Sequence, residues 1–180
     1  MAIEEVFIPE VIQSVVSAMK VQKPGAATGT WLHINYEPGR DIQILDSLAN
    51  KNGTSYDSLK YPLIAVVMPL SEKNGSSFLE VTFPRIVIAH LTKTGTNTET
   101  VIEKYNSQGV LKNYLRPCLR EFIRRLAWST YTNLGDPDAY EYETLEQLSQ
   151  QPIGKGLNDF VDIIEILNLK ATIFPYIKTC

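Results

Sequence analysis

The longest apolar runs of the chain lie in two neighbouring segments, Leu63–Met68 and Arg85–Leu91, and neither run alternates apolar with polar residues. A strand that faces water on one side shows such alternation, so we expect both strands to be covered on both faces. Helices of the same chain, neighbouring subunits, or both can supply that cover. Between the runs, Glu72–Ser77 is predicted to be a hairpin loop, and the returning strand is predicted to span Phe78–Leu91.

Two segments have the apolar spacing of amphipathic helices. The first is predicted from about Pro9 to Lys20, with its proline in the first turn. The second is predicted from about Val110 to Trp128, where Pro117 requires either a kink or a helix that begins near Arg116. A shorter helix is predicted to follow Asp41, which can cap it.

The rest of the chain alternates between strand patterns and polar segments. Trp31–Tyr36 reads as a strand that ends in a turn at Glu37–Gly39. Phe160–Phe174 reads as a closing strand, and a change of phase around Ile163–Ile166 suggests a bulge or an entry to the buried centre of the sheet. Between the second helix and this strand lies a long polar excursion, about residues 133–159, with a single helical turn predicted around Thr144–Leu148.

Composition fits one domain that spans residues 1–180, because 44% of the 180 residues are apolar and 21% are charged. The predicted class is α+β: a mostly antiparallel sheet of about four main strands flanked by two principal helices, with long loop excursions. Neither a secretory signal nor an apolar stretch of the roughly 18 residues that span a bilayer is recognisable, so no membrane contact is expected. Cys118 and Cys180 read as free thiols, which fits a reducing cytoplasm.

No motif indicates an enzyme, a cofactor or a metal site. His33 and His90 have neither a cysteine nor an acidic residue at metal-ligand spacing, and both are expected to be structural. A small cytoplasmic enzyme that uses one of these histidines with Asp41 or Asp162 remains the alternative from another class. A third alternative is a monomeric regulatory or chaperone module that binds one partner.

Basic side chains recur at every fourth position of the second helix, and we call this set the basic ridge: Lys112, Arg116, Arg120 and Arg124. Carboxylates cluster in the polar excursion, and we call this set the acidic loop: Asp136, Asp138, Glu141 and Glu143. The ridge can be a solvated face paired locally through Glu121, or it can meet the acidic loop of an adjacent copy in a head-to-tail ring. Contact with DNA is disfavoured by the net charge of −3.

The order of these segments resembles the tail-terminator, or tail-completion, proteins of tailed bacteriophages, in particular those of Bacteroides-type phages. The residues that carry the resemblance are Tyr61–Val66, Glu80–Ala89, Tyr105, the Leu111–Leu126 helix with its internal Pro117, and Phe160–Leu169. Together these segments span about two-thirds of the chain.

The resemblance implies a structural virion protein without catalytic residues, made in the host cytoplasm and located at the head–tail junction. Such proteins assemble into a ring, commonly of six copies, that caps the tail tube and joins it to the neck. The partners implied are other copies of the chain, tail-tube and neck or portal-side proteins, and DNA in transient, non-specific passage. The long excursion and an extended Lys51–Lys60 loop distinguish this chain from the shorter family members. Another neck ring, such as a stopper or adaptor, is therefore an alternative to the terminator.

Overall fold

The computed structural model describes residues 7–50, 60–75, 77–91, 109–149 and 160–174. These residues form three helices and seven strands: α1 (Ile8–Ser17), β1 (Asn35–Gly39), α2 (Asp41–Asn50), β2 (Leu63–Val67), β3 (Ser71–Asn74), β4 (Leu79–Leu91), α3 (Arg116–Ala127), β5 (Thr132–Asn133), β6 (Tyr142–Ser149) and β7 (Phe160–Ile173). A π turn, Leu111–Leu115, leads directly into α3. The predicted class, α+β, is confirmed.

Two long strands, β4 and β7, form the centre of the seven-stranded sheet. They are antiparallel, and their register runs from Leu79 opposite Ile173 to Leu91 opposite Val161. One edge of β4 pairs with both β2 and β3, and the outer edge of β7 pairs with both β5 and β6. β1 extends the sheet beyond β2 in parallel orientation. The described helices and the shorter strands are therefore arranged around this one pair.

Both central strands change the face to which their apolar side chains point, and they do so opposite each other. The buried positions shift by one residue between Phe83 and Ile86 in β4, and between Ile166 and Leu169 in β7. Asn168 has a φ of 52°, the left-handed conformation that asparagine tolerates better than most residues. Because the two shifts coincide, the register of the pair is the same on either side of them.

Pro84 lies inside β4 at this phase change. Beside it, β2 ends opposite Arg85 and β3 begins opposite Thr82, so the missing N–H of the proline falls where no neighbouring strand pairs with it. The phase change predicted around Ile163–Ile166 thus occurs at Asn168. Its consequence is that Leu167 is 39% exposed.

The sheet has two faces with different cover. The face that we call the helical face carries the larger apolar cluster and packs against α1, the π turn and α3. The opposite face, which we call the second face, carries a smaller cluster of these residues: Ile44, Tyr61, Leu63, Ala65, Ala89, Val161 and Ile163. Since β2 contributes to both clusters, the prediction that it is covered on both faces is confirmed, and helices of the same chain supply cover on each face.

The start of α3 follows from Pro117. The backbone N–H of Arg116 donates to the carbonyl of Leu111, five residues earlier, which closes the π turn. Pro117 then falls in the first turn of α3. The N–H groups of a first turn have no carbonyl partner within their own helix, so the proline costs α3 no hydrogen bond. The prediction of a helix that begins near Arg116 is confirmed. The predicted first helix is also present, although α1 ends at Ser17 rather than Lys20.

The prediction of about four main strands and two principal helices agrees only roughly with the seven strands and three helices described. Three segments predicted as loops or turns are strands: Glu37–Gly39 in β1, Glu72–Asn74 in β3 and Thr144–Leu148 in β6. All three strands lie beside another strand of the sheet that supplies their hydrogen-bond partners. Polar edge strands of this kind lack the apolar pattern that identifies buried strands. The predicted Trp31–Tyr36 strand is likewise displaced, since Trp31 makes only an isolated bridge with Gln22.

An ion-pair network lies on the second face at the phase change. Arg85 Nε donates to Glu165 Oε1 at 2.9 Å, and Nη2 of the same guanidinium also contacts that oxygen. Arg85 Nη1 lies 3.2 Å from Asp41 Oδ1 at the start of α2. Asp41 was predicted to cap α2, but it is the first helical residue and pairs with Arg85. The guanidinium therefore joins β4 to β7 and to α2.

We predict that Arg85→Met lowers the free energy of unfolding by on the order of 3 kcal/mol, because it leaves the carboxylate of Glu165 without its cation. The Glu165 side chain is only 11% exposed. Chemical denaturation at neutral pH measures the change.

The matched control is Lys73→Met. Lys73 lies 3.6 Å from Glu80, but the two side chains are 83% and 53% exposed, so its loss should cost less than about 1 kcal/mol. The double variant Arg85→Met/Glu165→Met should recover part of the loss. Equal costs for Arg85→Met and Lys73→Met would contradict the structural role given to this network.

Candidate interaction surface

The four residues of the basic ridge have different environments. Lys112, in the π turn, and Arg120, in α3, are exposed. Arg116 is half-buried and already interacts with another residue. Arg124 is exposed but donates twice to the Glu121 carboxylate, at 2.8 and 2.7 Å. Among the described residues, Lys112 and Arg120 are therefore the members of the ridge most available to an external partner.

Glu121 is the residue that neutralises one end of the ridge. Its Oε1 accepts hydrogen bonds from Arg125 Nε at 2.9 Å and from the backbone N–H of Lys20 at 3.2 Å, in addition to those from Arg124. Burial opposes the charge on Glu121, but these hydrogen bonds outweigh it and lower the pKa to about 2. The carboxylate thereby links α3 to the end of the α1 segment. Sequence spacing predicted local pairing through Glu121, whereas the contact with Lys20 had no sequence signal.

The acidic loop divides into two parts. Asp136 and Asp138 lie in an exposed turn, in which Asp136 Oδ1 accepts the backbone N–H of Asp138 at 3.0 Å. Glu141 precedes β6, and Glu143 lies within that strand. Glu143 stands opposite Glu165 of β7, so its position is fixed by sheet register rather than by a loop.

Tyr140 connects the ridge to the acidic loop within one chain. Burial raises its pKa, the neighbouring Tyr142 and Asp138 raise it further, and the positive charge of Arg120 lowers it. Arg120 and Asp138 therefore both lie within electrostatic range of the same phenol. Arg120 of the ridge and Asp138 of the acidic loop are thus neighbours of one residue, a proximity that sequence separation concealed.

A groove of about 380 Å³ opens beside the start of β6, and its lining residues are Tyr140, Glu141, Tyr142, Glu143 and Leu167. The rings of Tyr140 and Tyr142 are 6.0 Å apart between centroids. Leu167 and Tyr142 are 39% and 42% exposed. The groove exists because β6 pairs with β7 only as far as Ile166 and β5 begins pairing at Thr172, which leaves a stretch of β7 between them.

The structure brings one predicted histidine together with a predicted carboxylate. His90 stands opposite Asp162 in the β4–β7 register, and its ring packs on Tyr114 with centroids 4.1 Å apart. Burial lowers the pKa of His90, and the Leu91 carbonyl, 3.0 Å from Nδ1, and the Asp162 charge oppose that shift. His33 is exposed and lies before β1.

Nucleophile and metal chemistry receive little support from the described part of the chain. Burial raises the pKa of the Cys118 thiol to about 12, so it stays protonated at neutral pH. Within residues 7–50, 60–75, 77–91, 109–149 and 160–174, no three His, Cys, Asp or Glu side chains are grouped to hold a metal ion. No helix in the same ranges is both long and apolar enough to cross a membrane.

Four predicted features lie outside the described residues. They are the extended loop at residues 51–59, Tyr105, the second half of the polar excursion at residues 150–159, and Cys180. The first half of that excursion is described, and it contains the acidic turn and β6.

Comparison with protein-family models, with curated proteins and with solved structures finds no match to this chain.

We predict that Glu121→Gln destabilises the protein at neutral pH and that the difference disappears in acid. A carboxylate with a lowered folded-state pKa contributes stability above its unfolded pKa of roughly 4.3. That contribution is lost as the pH falls through the folded value of about 2. Thermal unfolding between pH 7 and pH 2 should therefore show two curves that converge towards pH 2. Glu141→Gln, an exposed control, should follow the wild type throughout, and a constant offset for Glu121→Gln would contradict the assignment.

Proposed function

We propose that this chain is a structural virion protein that assembles into a homo-oligomeric ring at the head–tail junction of a tailed bacteriophage. The ring, of six copies, caps the tail tube, connects it to the neck and leaves a passage for DNA. The order of segments that resembles tail-terminator proteins is one support for this proposal. A stopper or adaptor ring of the same virion is the nearest alternative.

The observation that carries the proposal is the exposure of Trp128. This side chain follows the last residue of α3 and is 79% exposed, although tryptophan is among the side chains with the most apolar surface to bury. Phe174, which follows β7, is 40% exposed, and its backbone N–H donates to the carbonyl of Tyr131, in the segment after α3, at 2.9 Å. Aromatic side chains such as tryptophan and phenylalanine are enriched at protein–protein contact surfaces.

A ring protein needs surface chemistry that other copies and neighbouring rings can recognise. Lys112, Arg120, Glu141 and Glu143 supply exposed charges of both signs. Tail-tube and neck proteins are the further partners, and DNA in the passage makes only non-specific, salt-sensitive contacts. The role requires no catalytic group and no cofactor.

A second candidate is a small enzyme centred on His90, which is favoured by the position of that histidine opposite the fully buried Asp162. The thiol of Cys118 gives this candidate no nucleophile, because burial keeps it protonated. A structural histidine accounts for the same contacts, since the ring packs on Tyr114 and Nδ1 is hydrogen-bonded to a main-chain carbonyl.

We predict that His90 behaves as a buried structural residue. Its folded-state pKa lies below its ordinary value, so the neutral ring is favoured and stability is present above about pH 6.5. Stability falls as the pH drops below that value, because this histidine takes up a proton more readily in the unfolded chain than in the folded protein. Unfolding of wild type and His90→Phe between pH 8 and pH 5 should show this decline in the wild type alone. An NMR titration of His90 with a pKa above 6.5 would contradict the prediction and favour the enzyme.

Ring assembly is tested by negative-stain electron microscopy and light scattering on the same concentrated sample. We expect closed rings with a central hole and a mass that is a fixed multiple of 20.3 kDa. The chain has two tryptophans, so Trp31→Phe leaves Trp128 as the single fluorophore. Its emission should shift to the blue as concentration rises, because assembly removes the indole from water.

The matched control is Trp128→Phe, in which Trp31 reports alone. Trp31 is 47% exposed at a different part of the molecule, so a shift confined to Trp128 locates the contact at the end of α3. A strict monomer at all concentrations, with no emission shift, contradicts self-assembly and favours a module that binds one partner.

A further inference from the structure

We propose that the groove beside β6 is the docking site for basic side chains of a second copy of this chain, supplied by Lys112 and Arg120. The inference rests on the proposed self-assembly and assigns the residues that would form one of its contacts. The groove is lined by two tyrosines, two glutamates and Leu167.

The lining has the chemistry of a site for a guanidinium or an ammonium group. Exposed carboxylates of Glu141 and Glu143 offer acceptors for charge-assisted hydrogen bonds. The rings of Tyr140 and Tyr142 offer π faces that attract cations. Leu167 provides an apolar wall for the methylene stem of a lysine or arginine. An anionic or purely apolar ligand would give these carboxylates no positive charge to pair with.

Charge complementarity identifies a second copy as the occupant. Lys112 and Arg120 are exposed on the helical face side of the same molecule, and neither forms an ion pair with a described carboxylate. Arg124 is already committed to Glu121, and Arg116 is half-buried with an interaction of its own. The basic ridge thus has two available cations and the groove has two available carboxylates, so the ridge of one copy can bind the groove of another.

Arg120 does not neutralise the groove of its own chain. It lies within electrostatic range of Tyr140, but no ion pair joins it to Glu141 or Glu143. A neighbouring copy can approach these carboxylates from the open side of the groove. Each copy then gives one basic surface and receives another, which is the arrangement that repeated self-association requires.

The test compares the full-length wild type with two charge-reversed variants in sedimentation velocity over a range of concentrations. The ridge variant is Lys112→Glu/Arg120→Glu, and the groove variant is Glu141→Arg/Glu143→Arg. We expect each variant alone to need at least about tenfold more protein to associate, because like charges face each other across the contact. An equimolar mixture of the two variants should associate within about threefold of the wild-type concentration, since opposite charges meet again.

The matched control is Lys73→Glu/Lys170→Glu, which makes the same change of charge in a second groove, beside β3. It should associate like the wild type, and circular dichroism should show that all the variants remain folded. Wild-type association by the ridge and groove variants overturns this docking site and leaves the ring proposal standing. If the equimolar mixture does not regain association, the docking site is contradicted as well.

The size of the assembly separates this inference from the proposed function. A ring whose assembly is weakened by the groove variant supports both the docking site and the proposed function. A closed two-copy species that depends on the groove supports the docking site and contradicts the ring. A wild type that stays monomeric at every concentration contradicts both.

Discussion

The pairing of β4 with β7 is the constraint on which the rest of this structure depends. Towards the end where Leu91 meets Val161, β7 is buried on both faces and β4 is buried or half-buried on both, so each face must receive a cover. α1 and α3 cover one face and α2 covers the other. Beyond Pro84 and Asn168 the second face becomes polar, and no described helix is needed there. This paired irregularity thus divides the sheet into one half that is covered on both faces and another half that is covered on one face.

The surfaces available for recognition follow from that arrangement. The π turn and α3 bury their apolar side chains on the sheet and leave Lys112 and Arg120 exposed, while Glu121 links α3 to the α1 segment. β6 covers only part of the outer edge of β7 and so creates the groove. The basic and acidic surfaces are therefore products of how the same central pair is covered, rather than separate additions to the fold.

Much of the fold was predictable because burial leaves a strong record in sequence. The uninterrupted apolar runs identified β2 and β4, the strand pattern of Phe160–Phe174 identified β7, and helical spacing identified α1 and α3 with the start that Pro117 imposes. β3 and β6 were missed because polar edge strands depend on hydrogen bonds from a neighbour, and a neighbour is not visible locally. In the candidate site, the charged residues of the ridge were recognisable, but the loss of Arg124 to Glu121 and the proximity of Arg120 to Tyr140 were not.

The sequence by itself determined which segments are buried, where α3 begins, and that charges of opposite sign are concentrated in two segments. Each of these properties depends on residue type and short-range spacing. The tertiary structure alone decided that His90 faces Asp162, that Arg85 joins β4, β7 and α2, and that Glu141 and Glu143 border a groove with two tyrosines and Leu167. These contacts bring together residues far apart in the chain, and only the register of the sheet fixes which of them meet.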